Sequence, residues 1–311
     1  MKGELADLRV AFFKRLVEIA KEDSRIAVLD ADVSSSTKSQ RFYEAYPERF
    51  IELGVAEQGM MGTAAGLSCC GLIPFACCYA VFATGRVFDT VRVSIAYTKL
   101  NVKIIATHSG ISVGMDGPTH HAIEDIGLMR TLPNMTVISP SDSIETERVV
   151  DFLVKSEGPC YVRLLRVKVP ILFDENYKFE PGKGVVLHNG KDVTLVSTGI
   201  MVKEALRAKD EIEKKGISVR LINIHTIKPI DKEIIVKAAV ETKGLVSCED
   251  HNIYGGLGSA IAEVLAEERP ARLIRVGVRD CFAESAGTED LLEKYGLNYK
   301  AIINAAEEII K

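Results

Sequence analysis

The chain has 311 residues, 47% of them hydrophobic and 26% charged, enough to bury the cores of about two domains at the usual ~150 residues each. Its net charge of -4 supplies no basic field for nucleic acid, and no apolar run reaches the ~18 residues of a membrane span. Seven cysteines (Cys69, Cys70, Cys77, Cys78, Cys160, Cys248 and Cys281) form an odd set without CxxC spacing, so they are expected to be reduced, small, buried residues of a cytoplasmic protein. Adjacent residues of a strand face opposite ways, so Cys77 and Cys78 do not converge on one metal, and no metal ligand is assigned in this chain.

Leu5, Leu8, Phe12, Leu16 and Ile19 recur at helical spacing with charges between them, an amphipathic helix rather than a signal peptide. Strand-like runs follow at Arg25–Leu29, Val102–Ala106, Thr136–Ser139 and Tyr161–Leu165, with helical periodicity over Ala83–Tyr97 and Ile144–Lys155. Prolines, glycines and scattered charges then break the pattern across residues 167–192. A second alternation begins with a strand at Val193–Ser197, a helix at Val202–Lys215 and a strand at Val219–Ile224. It continues with helices at Ile230–Glu241 and Gly256–Glu267 and strands at Leu245–Cys248 and Leu273–Val278. The expectation is α/β: two doubly wound domains with mainly parallel sheets, residues 1–168 and 192–311, joined by a linker at 169–191.

The first residues with chemical promise lie in Gly54-Val55-Ala56-Glu57-Gln58-Gly59-Met60, after the apolar run Phe50-Ile51-Glu52-Leu53. This reads as a strand running into a helix, with Glu57 at the junction where an open α/β sheet places its ligand crevice. A carboxylate there meets the positive end of the helix dipole, and on these residues alone a helix cap serves as well as a site. The apolar segment Pro74–Phe82 brings the aromatics Tyr79 and Phe82. Next, Thr107-His108-Ser109-Gly110 and Gly114-Met115-Asp116-Gly117-Pro118-Thr119-His120-His121 form a loop after a strand, gathering two histidines and an acid where functional residues collect.

This wording resembles the transketolase family of thiamine-diphosphate enzymes, over almost the whole chain but only the second part of a full-length member. The resemblance implies that Glu57 bonds N1′ of the cofactor's aminopyrimidine and favours the imino tautomer that activates C2 of the thiazolium ring. It implies that Phe82 stacks on the pyrimidine, with Tyr79 in the same wall and Asp32 near the cofactor; Gly85 stands where many members have a third aromatic. His108 and His120 would act on the oxygens of the sugar, and Asp116 would read the C2 hydroxyl of the aldose acceptor. Arg9, Ser36 and Arg166 match residues that hold the substrate's terminal phosphate. The stretches His225–Asp231 and Glu249–Gly258 look like the family's C-terminal domain, expected to serve assembly.

The family's other domain grips the diphosphate through a divalent metal with a Gly-Asp-Gly motif followed by Asn, and no Gly-Asp-Gly occurs in this sequence. The expectation is therefore one subunit of a split transketolase, a cytoplasmic transferase of the pentose phosphate pathway. It would move a two-carbon ketol unit from a ketose phosphate to an aldose phosphate. A separate diphosphate-binding chain would hold the charged end of the thiamine diphosphate and, in the main, its Mg2+ or Ca2+, in an α2β2 complex built on a dimer of this chain. The alternatives are a 2-oxo acid dehydrogenase β subunit, a deoxyxylulose-phosphate-synthase-like enzyme, or a non-catalytic dimerising subunit. The Asp-Gly-Pro-Thr-His run, absent from the dehydrogenase β subunits, and His108, where the synthase usually has another basic residue, favour ketol transfer.

Overall fold

The computed structural model describes residues 4–311, in two compact units. One runs through Ser109 and resumes over Leu128–Phe179; the other comprises Gly110–Gly127 and Glu180–Lys311.

The first unit is built on an open parallel sheet, with two further short strands paired antiparallel apart from it. Its strands are β1 (Leu5–Ala6), β2 (Ile26–Asp30), β3 (Phe50–Glu52), β4 (Ile73–Tyr79), β5 (Lys103–Thr107), β6 (Thr136–Ile138), β7 (Cys160–Arg163) and β8 (Val169–Pro170). Six of them lie in the order β6-β7-β5-β4-β2-β3, each parallel to its neighbour. Strands β2, β5 and β7 are buried along their whole length, as a parallel sheet covered on both faces requires, and this explains their apolar runs, which charged residues interrupt only at strand ends, at Asp30, Lys103 and Arg163. The chain leaves β2 for β3 on one side and returns to β4 on the other, so the topological switch point lies between β2 and β4. Register sets Asp30 beside Cys77 and Tyr79 beside Thr107, which brings the C-terminal ends of β2, β4 and β5 together there.

The helix Leu8–Ile19 starts three residues later than the apolar periodicity, because Leu5 and Ala6 pair antiparallel with β8 and Asp7 caps the helix by accepting from Arg9 N. The segment expected as one helix over Ala83–Tyr97 is broken into π-helical turns at Phe82–Arg86 and Val91–Ala96 around a short α-turn. Gly85 and the β-branched residues around it weaken α-helix formation, and such wide turns recur at functional sites.

In the second unit, β9 (Val185–His188), β10 (Val193–Ser197), β11 (Val219–Asn223), β12 (Thr226–Lys228), β13 (Leu245–Asn252) and β14 (Leu273–Val278) follow. Five of these form a sheet in the order β14-β13-β10-β11-β9, parallel except for β9. The segment 169–191 thus contributes two short strands, β8 to the first unit and β9 to the second sheet. Asp231 and Asn298 cap the helices Lys232–Glu241 and Tyr299–Ile310 by accepting from Ile234 N and Ala301 N.

The cysteine expectation needs one correction. All seven thiols are free, but Cys69, Cys70 and Cys281 are exposed, while Cys77, Cys78, Cys160 and Cys248 are buried. Cys69 and Cys70 end the helix Glu57–Cys69, where the chain turns out to solvent before β4. Among the described residues, no helix is long and apolar enough to cross a membrane, and no group of three His, Cys, Asp or Glu is arranged to hold a metal.

Candidate active site

Glu57 is the first residue of its helix, and its side chain is only 4% exposed. Its carboxylate does not cap that helix: the cap position is Ala56, which gives no side-chain bond. Instead Arg86 Nη1 donates to Glu57 Oε1 at 2.8 Å and to Oε2 at 2.9 Å. The same guanidinium lies over the Phe82 ring, with its central carbon 4.2 Å from the ring centroid. The π-helical turn sets Arg86 on Phe82, and Gln58 Nε2 donates to the Arg86 carbonyl at 3.1 Å. A buried acid and an aromatic face therefore converge on one planar cation.

Tyr79 continues this wall. Its ring stacks on Phe82 at 6.4 Å between centroids and lies 4.1 Å from the imidazole of His108. His108 follows β5 directly, takes a left-handed backbone (φ 57°) and shares a hydrogen bond of 2.8 Å between Nδ1 and Thr107 Oγ1. That bond orients the buried ring at the strand end. Cys78, one residue before Tyr79, is pushed up to about 12 by burial and by the charge of Glu57, so it stays a neutral thiol in the wall.

The three expected phosphate contacts meet through Arg9. Its Nη1 donates to the Ser36 carbonyl and its Nη2 to the Arg166 carbonyl, each at 2.9 Å. Nε and Nη2 also grip Asp7, at 3.0 and 2.7 Å. Burial raises the Asp7 pKa, but the bonds from Arg9 outweigh it and hold the carboxyl below its ordinary range. Arg9 is thus divided between the Asp7 carboxylate and two main-chain carbonyls, a role its residue type and position did not disclose.

Asp32 is exposed and left-handed (φ 61°), its N–H donating to Glu52 Oε1 at 2.8 Å. The residue that organises its loop is Asp30, fully buried at the end of β2. Asp30 accepts from Val33 N at 2.7 Å, Thr37 Oγ1 at 3.0 Å and Ser39 Oγ at 2.7 Å. Burial pushes its carboxyl up to about 6 despite these bonds. Neither Asp30 nor Arg86 stands out in the sequence: one looks like a strand-end acid, the other like a surface cation.

Asp116 and His120 sit on Gly110–Gly127, which belongs to the second unit. Asp250, buried at the end of β13, accepts from Ile111 N at 2.9 Å and Ser112 N at 3.2 Å. Gly110 (φ 71°) must be glycine, because a Cβ there would lie 2.1 Å from Asp250 Oδ2. Thr288 Oγ1 donates to the Ser112 carbonyl at 3.0 Å and Ser285 Oγ to that of Met115. Asp116 is exposed on the loop so held, and His120 Nδ1 shares a 2.9 Å hydrogen bond with Thr119 Oγ1.

The first unit is an open parallel sheet with an acid, an aromatic wall and a histidine gathered at its switch point, the place where open α/β sheets hold their ligands. Residues 5–170 match the family description "Transketolase, pyrimidine binding domain", and residues 182–302 match "Transketolase, C-terminal domain". The chain is 43% identical to the "Putative transketolase C-terminal section" of Methanocaldococcus jannaschii, over 100% of this chain and 98% of that protein. It is 44% identical to the 6-deoxy-6-sulfo-D-fructose transketolase subunit of a Clostridium species, over 97% of this chain and 94% of that subunit. A solved structure described as "Split gene transketolase, inactive beta4 tetramer" is 49% identical, covers 98% of each chain and superposes with a TM-score of 0.92. The chain belongs to the transketolase family, as the section that carries the pyrimidine-binding and C-terminal domains.

Proposed function

We propose that this chain is the pyrimidine-binding subunit of a two-chain transketolase and acts on sugar phosphates only when joined to a diphosphate-binding subunit. One observation carries the reading: Glu57 and Phe82 converge on a single planar, hydrogen-bond-donating group, Arg86, and an aminopyrimidine carrying a proton on N1′ has that same shape and donor character. These residues suit the aminopyrimidine end of thiamine diphosphate. Bound there, the cofactor supplies a nucleophilic carbon that carries a two-carbon ketol unit from one sugar to another.

In this reading Glu57 holds a proton between its carboxylate and N1′ of the pyrimidine, and burial keeps water from competing for it. Phe82 and Tyr79 would offer the ring an aromatic face, and Asp30 holds the loop of Asp32 and Ser36. His108 and His120 exchange protons with hydroxyl and carbonyl oxygens of the sugars, and Asp116 accepts from the C2 hydroxyl of the acceptor. Arg166 and Ser36 receive the terminal phosphate, with Arg9 holding their main chain in place.

Mg2+ or Ca2+ and the diphosphate would be held by the partner chain. The relatives named as a subunit and as a C-terminal section support division of the enzyme between chains, and the related inactive tetramer supports self-association without turnover. The seven free thiols suit a cytoplasmic enzyme.

The test is reconstitution. This chain alone, with thiamine diphosphate and magnesium, is expected to be a folded oligomer without ketol transfer. Adding a chain that bears a Gly-Asp-Gly…Asn site should restore transfer. Turnover by this chain alone would refute the divided enzyme.

A further inference from the structure

The two contacts that the proposed function assigns to the cofactor's pyrimidine ring are both already made by Arg86. Its Nη1 bridges the two oxygens of Glu57 at 2.8 and 2.9 Å, and its plane rests on Phe82 at 4.2 Å. A guanidinium and an aminopyrimidine protonated on N1′ are both flat, both delocalised and both present N–H groups in their plane. They cannot lie on Phe82 and bond Glu57 at the same time. We propose that Arg86 is a built-in competitor for the pyrimidine site, so that cofactor entry requires the Arg86 side chain to leave Glu57 and Phe82.

Three features support a side chain that moves rather than a fixed strut. Arg86 is 45% exposed, so a solvated alternative position is open to it, whereas Glu57 is 4% exposed and cannot follow it out. Arg86 lies on a π-helical turn beside Gly85, a backbone less tightly specified than an α-helix. Its main chain is anchored separately, by Gln58 Nε2 on its carbonyl, so the side chain can swing without dragging the turn. The pairing also has a purpose in the chain before assembly. A buried carboxylate without a partner is strongly disfavoured, and Arg86 compensates Glu57 until the ring arrives. The pyrimidine would then replace the cation, leaving Glu57 free to share a proton with N1′.

This inference rests on the pyrimidine site of the proposed function, and the experiment separates the two. The free aminopyrimidine half of thiamine is titrated into the full chain, and thiamine diphosphate with magnesium into the reconstituted complex, by calorimetry. Arg86→Ala and Arg86→Gln should both bind roughly 5- to 30-fold more tightly than the wild type, the penalty removed if the open state is about 3–20% of the unliganded population. Association of thiamine diphosphate should quicken by a similar factor. Having two variants guards against one that folds poorly. Equal or weaker binding by both variants, with Phe82→Ala still weakening binding, would overturn the competitor role and leave the site intact. If Phe82→Ala and Glu57→Gln also leave binding unchanged, the pyrimidine site itself is wrong and the competitor role falls with it.

Discussion

The group at the strand ends and the loop after β5 carry the two halves of the proposed chemistry, and they are held by different means. Glu57, Tyr79, Phe82 and His108 stand on a parallel sheet whose strands are buried along most of their length, and stacking links the rings in sequence. Asp116 and His120 instead ride on a glycine-rich loop that the C-terminal unit grips through one buried carboxylate, Asp250, and two hydroxyls. A sheet end tolerates loss of single contacts because packing holds it; a loop pinned by a few hydrogen bonds does not. The C-terminal unit, expected to serve assembly, therefore also supports Gly110–Gly127 and the two polar residues on it.

The largest test of this contrast is Glu57→Gln in the reconstituted complex. Turnover should fall by roughly 10²–10⁴-fold, the range of general acid–base catalysis, while assembly by size-exclusion chromatography is retained. Full activity would return Glu57 to a structural role.

The two units should also respond oppositely to pH. Asp30, pushed up to about 6 mainly by burial, favours the folded first unit most below its unfolded value of 3.8, and this contribution is lost as pH rises through 6. His225, buried in the second unit and pushed down to about 4, favours folding most above 6.5, and its contribution is lost as pH falls toward 4. Each shift corresponds to about 3 kcal/mol. Hydrogen exchange between pH 4 and 6.5 should show Asp30→Asn removing a loss in the first unit on raising pH. His225→Gln should remove a loss in the second on lowering it. Matching slopes for wild type and variants would refute both.

Asp250→Asn should release the loop without unfolding the sheet. The lost charge-assisted bonds are worth about 1.5–3 kcal/mol, read as faster amide exchange at Ile111 and Ser112 and a raised KM for the acceptor sugar. No change in exchange there would show that Ser285 and Thr288 suffice. Asp116→Ala should lower kcat/KM about 10- to 100-fold for acceptors with a C2 hydroxyl and leave acceptors without it unaffected. Equal losses for both would contradict its assignment. The smallest effect is expected at Phe82, where alanine removes about 0.5–1.5 kcal/mol of ring stacking plus some apolar burial, measured as weaker cofactor binding with folding intact.

Period and composition determined much of this protein. The buried strands read as apolar runs because both faces are covered, and β10 and β14 match their expected limits residue for residue. Glu57 was legible because a lone acid between a strand and a run of small residues marks a helix start, which is where it lies. Tertiary structure decided which groups meet. Arg86 reaches Glu57 because a π-helical turn displaces it, and no linear pattern encodes that widening. Asp250 reaches the loop from 138 residues further along the chain, the sequence separation of its bond to Ser112. Period and propensity are local quantities, whereas the partner of a buried charge is chosen by whichever distant group can reach it once water is excluded.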